Sequence, residues 1–228
     1  MPIDLSAIAP DGTAELDLRL RHISEEQVRR FEGYAAEILT ALGLDLNTPA
    51  TQDTPQRFIR ALFEATEGYD GDPNLLKVFD TECTGGPDCR VSQVIEGPIR
   101  FFSLCEHHAL PFFGDVYVAY IPQEEIIGLS KLARLVHVFT RRLAVQERIG
   151  QQIADALDVM IAPHGVAVLL QARHLCVEMR GVREPGALTR TTAWRGEYEH
   201  NAALRREFLT ACRWRQLDAP SEDGERRR

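Results

Sequence analysis

Cys105, Glu106, His107 and His108 follow one another in "FFSLCEHHALPFFG" (residues 101–114), a segment otherwise made of aromatic, small and apolar residues. Thiolate and imidazole suit Zn2+, and Cys-x-x-His brings positions three apart onto one centre. Cys105 with His108, or with His107, is therefore a candidate ligand pair. "ARHLCVEMRG" (172–181) offers the third ligand. Read as part of a strand, whose side chains alternate between faces, it sends His174, Cys176 and Arg180 the same way, and Cys176 joins the metal. Three protein ligands leave a fourth position for water. That is the arrangement of catalytic zinc, where bound water has a pKa of roughly 7, and hydrolysis is the natural reaction. The histidine of the pair that is not on the metal, together with His174, then stands beside it as a proton-transfer group, the alternative for either being a satisfied structural histidine. The competing accounts are a Cys-His pair that merely packs in a core, and a closed structural zinc with four ligands. Cys83 and Cys89 in "CTGGPDC" are a rival pair with no histidine near them in sequence, and we assign them no role.

A hydrolase needs something to hold its substrate. "GLSKLARLV" (128–136) places Ser130 at a helix N-terminus, with Lys131 in the first turn and Arg134 one turn on. Backbone N–H groups at such a terminus already favour an anion, so the combination suits phosphates, although ordinary solvated helix starts look the same. Arg180 adds a guanidinium beside the proposed ligands. In "AVQERIG" (144–150), Gln146 and Glu147 are polar candidates. A Glu147 carboxylate can accept two N–H bonds from a guanine edge, or else face solvent paired with Arg148 or Gln151.

The elements that position these residues follow from pattern. Ser24 and Gln27 read as a capping box, followed by an apolar stripe (Val28, Phe31, Ala35, Ile38, Leu39, Leu42) that stops at Gly43. A second helix starts at Asp53 or Thr54 with Pro55 in its first turn, and stops near Gly68. After "GYDGDPN" the texture changes. "RVSQVIEGPIRFFSL" gives two short β-prone runs broken at Gly97-Pro98, and "GDVYVAYIP" puts Val116, Val118 and Tyr120 on one face. From Ser130 the pattern is helical with a break near Leu143, ending at Pro163. "GVAVLLQARHLCVEMRG" reads as a central strand, "LTRTTAW" as another, and "NAALRREFLTACR" as a last helix. Helices first, then strands and helices without a regular βαβ rhythm, predict an α+β class. The expected organisation is a flexible segment at 1–23, a helical region at 24–75, a catalytic domain at 76–215 and a disordered polar tail at 216–228.

At 228 residues with 44% hydrophobic content, the chain can bury a core without disulfides. Its five cysteines are odd in number and irregularly spaced, and residues 1–20 lack the pattern of a secretory leader; a thiol or metal role in a reducing, cytoplasmic setting is expected. No apolar run has the length of a membrane span. A formal net charge of −8 argues against general nucleic-acid binding. Exposed charges are screened beyond about 8 Å, so a local cationic pocket for an anion is still compatible with it.

Taken together, "SLCEHH", "VAYIP", "IGLSK", "VQER", "HLCVEMRG" and "REFL" resemble GTP cyclohydrolase I of the zinc-dependent type, in order and interval, over about residues 24–212. The resemblance implies a tunnelling fold, an antiparallel sheet with helices on one face, preceded by a helical extension. It implies a homodecamer of two facing pentamers with sites between subunits. It implies one Zn2+ per subunit on Cys105, His108 and Cys176, with His107 and His174 as acid-base pair and Glu106 orienting its neighbours. The implied substrate is GTP, converted with water into 7,8-dihydroneopterin triphosphate and formate at the head of tetrahydrofolate and pterin biosynthesis. Ser130, Lys131, Arg134 and Arg180 fall on the triphosphate and ribose side, and Gln146 and Glu147 on the guanine. One departure is Ala187, where the family usually carries a hydroxyl ahead of the T-x-T pattern formed here by Thr189 and Thr191.

Overall fold

The computed structural model describes residues 21, 23–71, 78–80 (backbone) and 93–212. Residues 1–20 and 22 of the expected flexible segment 1–23, the boundary at 75/76, Cys83, Cys89 and the tail at 216–228 lie outside the described residues.

Helix α1 (Glu25–Ala41) opens with the capping box: Ser24 Oγ accepts from the Gln27 N–H and Gln27 Oε1 accepts from the Ser24 N–H. It ends in a turn at Gly43, whose φ of 97° lies in the left-handed region that favours glycine. Helix α2 (Thr54–Ala65) carries Pro55 in its first turn, where the missing N–H costs nothing, and packs on α1. Asp53 occupies the N-cap position without a side-chain cap. A 3-10 turn, Glu67–Asp70, then docks α2 on the rest of the molecule. Arg21 ties this corner together through Asp70 Oδ2 (2.6 Å), Thr66 Oγ1 (2.7 Å) and the Phe63 carbonyl (3.2 Å).

Among the described residues the strands are β1 (Val78–Asp80), β2 (Val94–Cys105), β3 (Pro111–Ile121), β4 (Glu125–Ile127), β5 (Leu143–Ala144), β6 (Gly165–His174) and β7 (Thr189–Gly196). β1 and β4 pair as a two-stranded ribbon, and the main sheet has the order β5-β2-β3-β6-β7, antiparallel except where β5 joins β2. Gly97-Pro98 does not split β2 in two, as the sequence suggested. The strand runs through it with a register shift between Glu96 and Ile99, because a bulge lets a proline lacking an N–H stay within a ladder.

Side-chain alternation sets the layers. Val116, Val118 and Tyr120 on β3, with Val166, Val168 and Leu170 on β6, face the main core. Helices α3 (Leu129–Thr140) and α4 (Gln146–Ile161) bury Leu132, Leu135, Phe139, Ile149, Ile153 and Leu157 against them. The intervening residues Tyr117, Ala119, Ala167 and Leu169 face the opposite side, where α6 (Glu197–His200) and α7 (Ala202–Ala211) bring Tyr198 and Phe208.

The largest difference from expectation concerns "HLCVEMRG". β6 stops at His174, and the next residues form a single helical turn, α5 (Leu175–Glu178). Arg173 and Glu178 close this turn with a two-bond pair of 2.8 and 2.6 Å. The strand alternation proposed for His174, Cys176 and Arg180 therefore does not exist.

Candidate metal centre and active site

β2 and β3 are joined by a tight loop that carries Glu106, His107 and His108. The Cys105 N–H donates to the Leu110 carbonyl (2.9 Å), and the Cys105 carbonyl accepts from Ala109 (2.7 Å) and His108 (3.2 Å). Ala109 takes a φ of 53° to complete it. The loop thereby projects Glu106, His107 and His108 outward while Cys105, the last residue of β2, stays buried on the helix-facing side of the sheet. The Glu106 N–H bonds the Ala144 carbonyl, and Arg148 on the first turn of α4 donates to Glu106 Oε2 (2.7 Å) and Oε1 (3.2 Å). That guanidinium holds the Glu106 carboxyl below the usual carboxylate range.

Both imidazoles flank the Cys105 thiol, His108 Nδ1 at 3.7 Å and His107 Nδ1 at 3.8 Å. Cys176 distinguishes their positions. Its sulfur and the ligand atoms of Cys105 and His108 all lie within 4.8 Å of one another, a group that His107 does not enter. Cys176 reaches it from the α5 turn, so this candidate ligand lies near the other two for a different local reason than strand alternation.

The donor set fits a zinc ion. Bonds of about 2.3 Å to sulfur and 2.0–2.1 Å to nitrogen at a tetrahedral angle would separate S and N by roughly 3.5 Å, close to the separation of Cys105 and His108. Burial and the adjacent Cys105 thiol push the Cys176 thiol up, with Arg180 pulling the other way. Two neighbouring thiols resist ionising together unless a cation lies between them.

His174 reaches the same end of the sheet. In register with Phe112 on β3, it lies flat on that ring, with centroids 4.6 Å apart and planes within 4°. Its Nε2 is 2.8 Å from Gln146 Oε1. Burial draws His174 below the ordinary imidazole range, opposed by the negative charges of Glu147 and Glu178. Gln146, expected on the guanine edge, is only 1% exposed, and both ends of its amide are occupied within the chain. Glu147, beside it, is exposed.

Ser130 and Arg134 are placed elsewhere. They line a cleft of about 650 Å³ with Asp70, His137 and Arg141, and none of the metal-group residues lines it. Lys131 is half-buried on the same helix. Arg180 acts electrostatically on Cys176, and Glu147 on His174. Sequence reasoning did not single out Phe112 as the platform of His174, and it offered Arg148 as a neighbour of Glu147 rather than of Glu106.

The family model for GTP cyclohydrolase I matches residues 31–213. "GTP cyclohydrolase 1" of Campylobacter concisus is 44% identical over 180 residues, covering 79% of this chain and 93% of that protein. The Saccharomyces cerevisiae protein of the same name is 40% identical over 199 residues, covering 87% and 80%. That of Deinococcus radiodurans is 44% identical over 180 residues, covering 79% and 82%. A mixed helical and mostly antiparallel fold with a thiol-imidazole centre is thus the tunnelling-fold type of an enzyme. The chain belongs to the GTP cyclohydrolase I family.

Proposed function

We propose that this enzyme converts GTP and water into 7,8-dihydroneopterin triphosphate and formate. The observation that carries the reading is the convergence of Cys105, His108 and Cys176, with His107 against Cys105 and His174 on the same end of the sheet. Cys105, His108 and Cys176 would hold one Zn2+, which when bound supplies Lewis acidity and a water of pKa roughly 7.

The chain's own residues do the rest. His107 and His174 move protons as water adds at C8 of the purine, N7 is protonated and the imidazole ring opens. A second addition of water releases C8 as formate, after which the ribose rearranges and the pyrazine ring closes. Glu106 keeps the His107–His108 loop against α4 through Arg148. Ser130, Lys131, Arg134 and Arg180 take the triphosphate and ribose, and Glu147 takes the guanine edge, so that both ends of the nucleotide are held and C8 is positioned. The separation of Ser130 and Arg134 from the metal group within one chain favours sites completed between copies, in a ring of the homodecamer type. A cytoplasmic enzyme in pterin or folate synthesis fits this chemistry, and among the described residues no helix is long and apolar enough to cross a membrane.

The test is direct. Purified protein of measured zinc content is incubated with GTP, and formate is quantified alongside the fluorescence of the oxidised pterin. Equimolar formate and pterin are expected, and zinc-loaded protein that leaves GTP intact refutes the reading.

A further inference from the structure

Gln146 opens α4 beneath the sheet, and its environment dictates which way its amide points. Nε2 lies 3.1 Å from the Thr189 carbonyl, 3.3 Å from the Leu170 carbonyl and 3.3 Å from Thr191 Oγ1. Two of these partners are backbone carbonyls, which only accept hydrogen bonds, so the NH2 group must face them; the reversed amide would set oxygen against oxygen in a buried place. Oε1 is thereby turned toward His174 Nε2 at 2.8 Å. A carboxamide oxygen also only accepts, so Nε2 must carry the hydrogen, and a neutral imidazole has only one. The stack on Phe112 fixes the plane in which this bond is made.

We propose that Gln146 is a positioning residue that locks His174 as the Nε2–H tautomer, so that the proton His174 moves enters and leaves through Nδ1. The proposal rests on the reading of His174 as a proton-transfer group. In balanced form, Nδ1 takes one proton from the water whose oxygen bonds C8 and becomes imidazolium while Nε2–H stays on Gln146 Oε1. The same proton then passes from Nδ1 to purine N7, and the ring returns to its starting tautomer. The two threonines of the T-x-T pattern acquire a role here: Thr189 through its carbonyl and Thr191 through its hydroxyl hold the amide that holds the histidine.

The decisive measurement is solid-state 15N NMR of the full-length, zinc-loaded protein labelled in its histidines, with His174 assigned by the resonance lost in His174→Asn. A protonated Nε2 and a bare Nδ1 are expected. A bare Nε2 with Nδ1–H in the resting enzyme overturns the proposal, and this readout requires no Gln146 variant to fold. Kinetically, Gln146→Met keeps the volume but removes the acceptor. It should lower kcat by roughly 10–100-fold, the scale at which groups behind a reacting residue act, with KM for GTP unchanged within about twofold. A raised KM at unchanged kcat would overturn the proposal and place Gln146 on the guanine. If the unaltered enzyme formed no formate while the spectrum showed Nε2–H, the functional reading would fail and the tautomer assignment would stand.

Discussion

Arg148 Nη1 lies 2.7 Å from Glu106 Oε2, so the first turn of α4 is bonded to the loop that presents both candidate histidines. The pair is largely solvent-exposed and should add little to folding, about 0.2–1 kcal/mol. Its effect should fall on the metal instead. Arg148→Ala is expected to leave the melting temperature within a few degrees and to weaken zinc binding about 10-fold, as loss of support behind a ligand does. Competition with a zinc-chelating dye checks this, and unchanged affinity would remove Glu106 from any orienting role.

Thiol chemistry should separate the described cysteines. Burial pushes Cys212 up to about 12, so it should resist alkylation in the native protein at mildly alkaline pH. Cys105 and Cys176 should be protected in zinc-loaded protein and should react after chelation. Peptide mass mapping before and after metal removal gives the answer, and equal labelling of Cys105 and Cys176 in both states would argue against their ligation.

Phe112 is fully buried, supports His174 on its face and meets Phe101 edge-on with centroids 5.9 Å apart. Phe112→Ala should cost about 3–5 kcal/mol through lost burial and the cavity left behind. Chemical denaturation measures it, and a loss under about 1 kcal/mol would mean the site repacks around the hole.

The Arg21–Asp70 pair gives a pH dependence with a definite sign. The Arg21 hydrogen bond holds the Asp70 carboxyl below its ordinary value of 3.8, so the folded state binds this proton less readily than the unfolded chain. Its contribution is complete above that ordinary value and is lost as pH falls through the depressed one. Asp70 is partly exposed, so the effect is discounted to about 1 kcal/mol or less. Asp70→Asn should flatten the acid limb of stability below about pH 4, and identical acid melting curves for the two proteins would contradict the assignment.

Local rules made some of this legible and hid the rest. Ser24 and Gln27 satisfy each other's N–H groups over three residues, and Val116, Val118 and Tyr120 alternate as any half-buried strand must, so both were readable from neighbours in sequence. Cys105 and Cys176 converge in space, but not by the strand alternation that the sequence suggested. The run through Cys176 is rich in strand-formers, yet it forms a helical turn flanked by the local Arg173–Glu178 pair, which propensity does not report. Gln146 was placed on the guanine by the family resemblance alone, and no local rule reports that its side chain is buried. Its burial depends on Leu170 and Thr189, more than twenty residues away in the chain.

Arg142 is nearly buried, and its guanidinium bonds the Gly68 carbonyl at 3.0 Å while its own carbonyl accepts from Ser103 Oγ and the Leu104 N–H, just ahead of Cys105. At Gly68 a Cβ would stand 2.4 Å from the Val138 carbonyl oxygen, so this corner has no slack. One residue thus splices the turn that follows the leading helices to the strand that ends at Cys105.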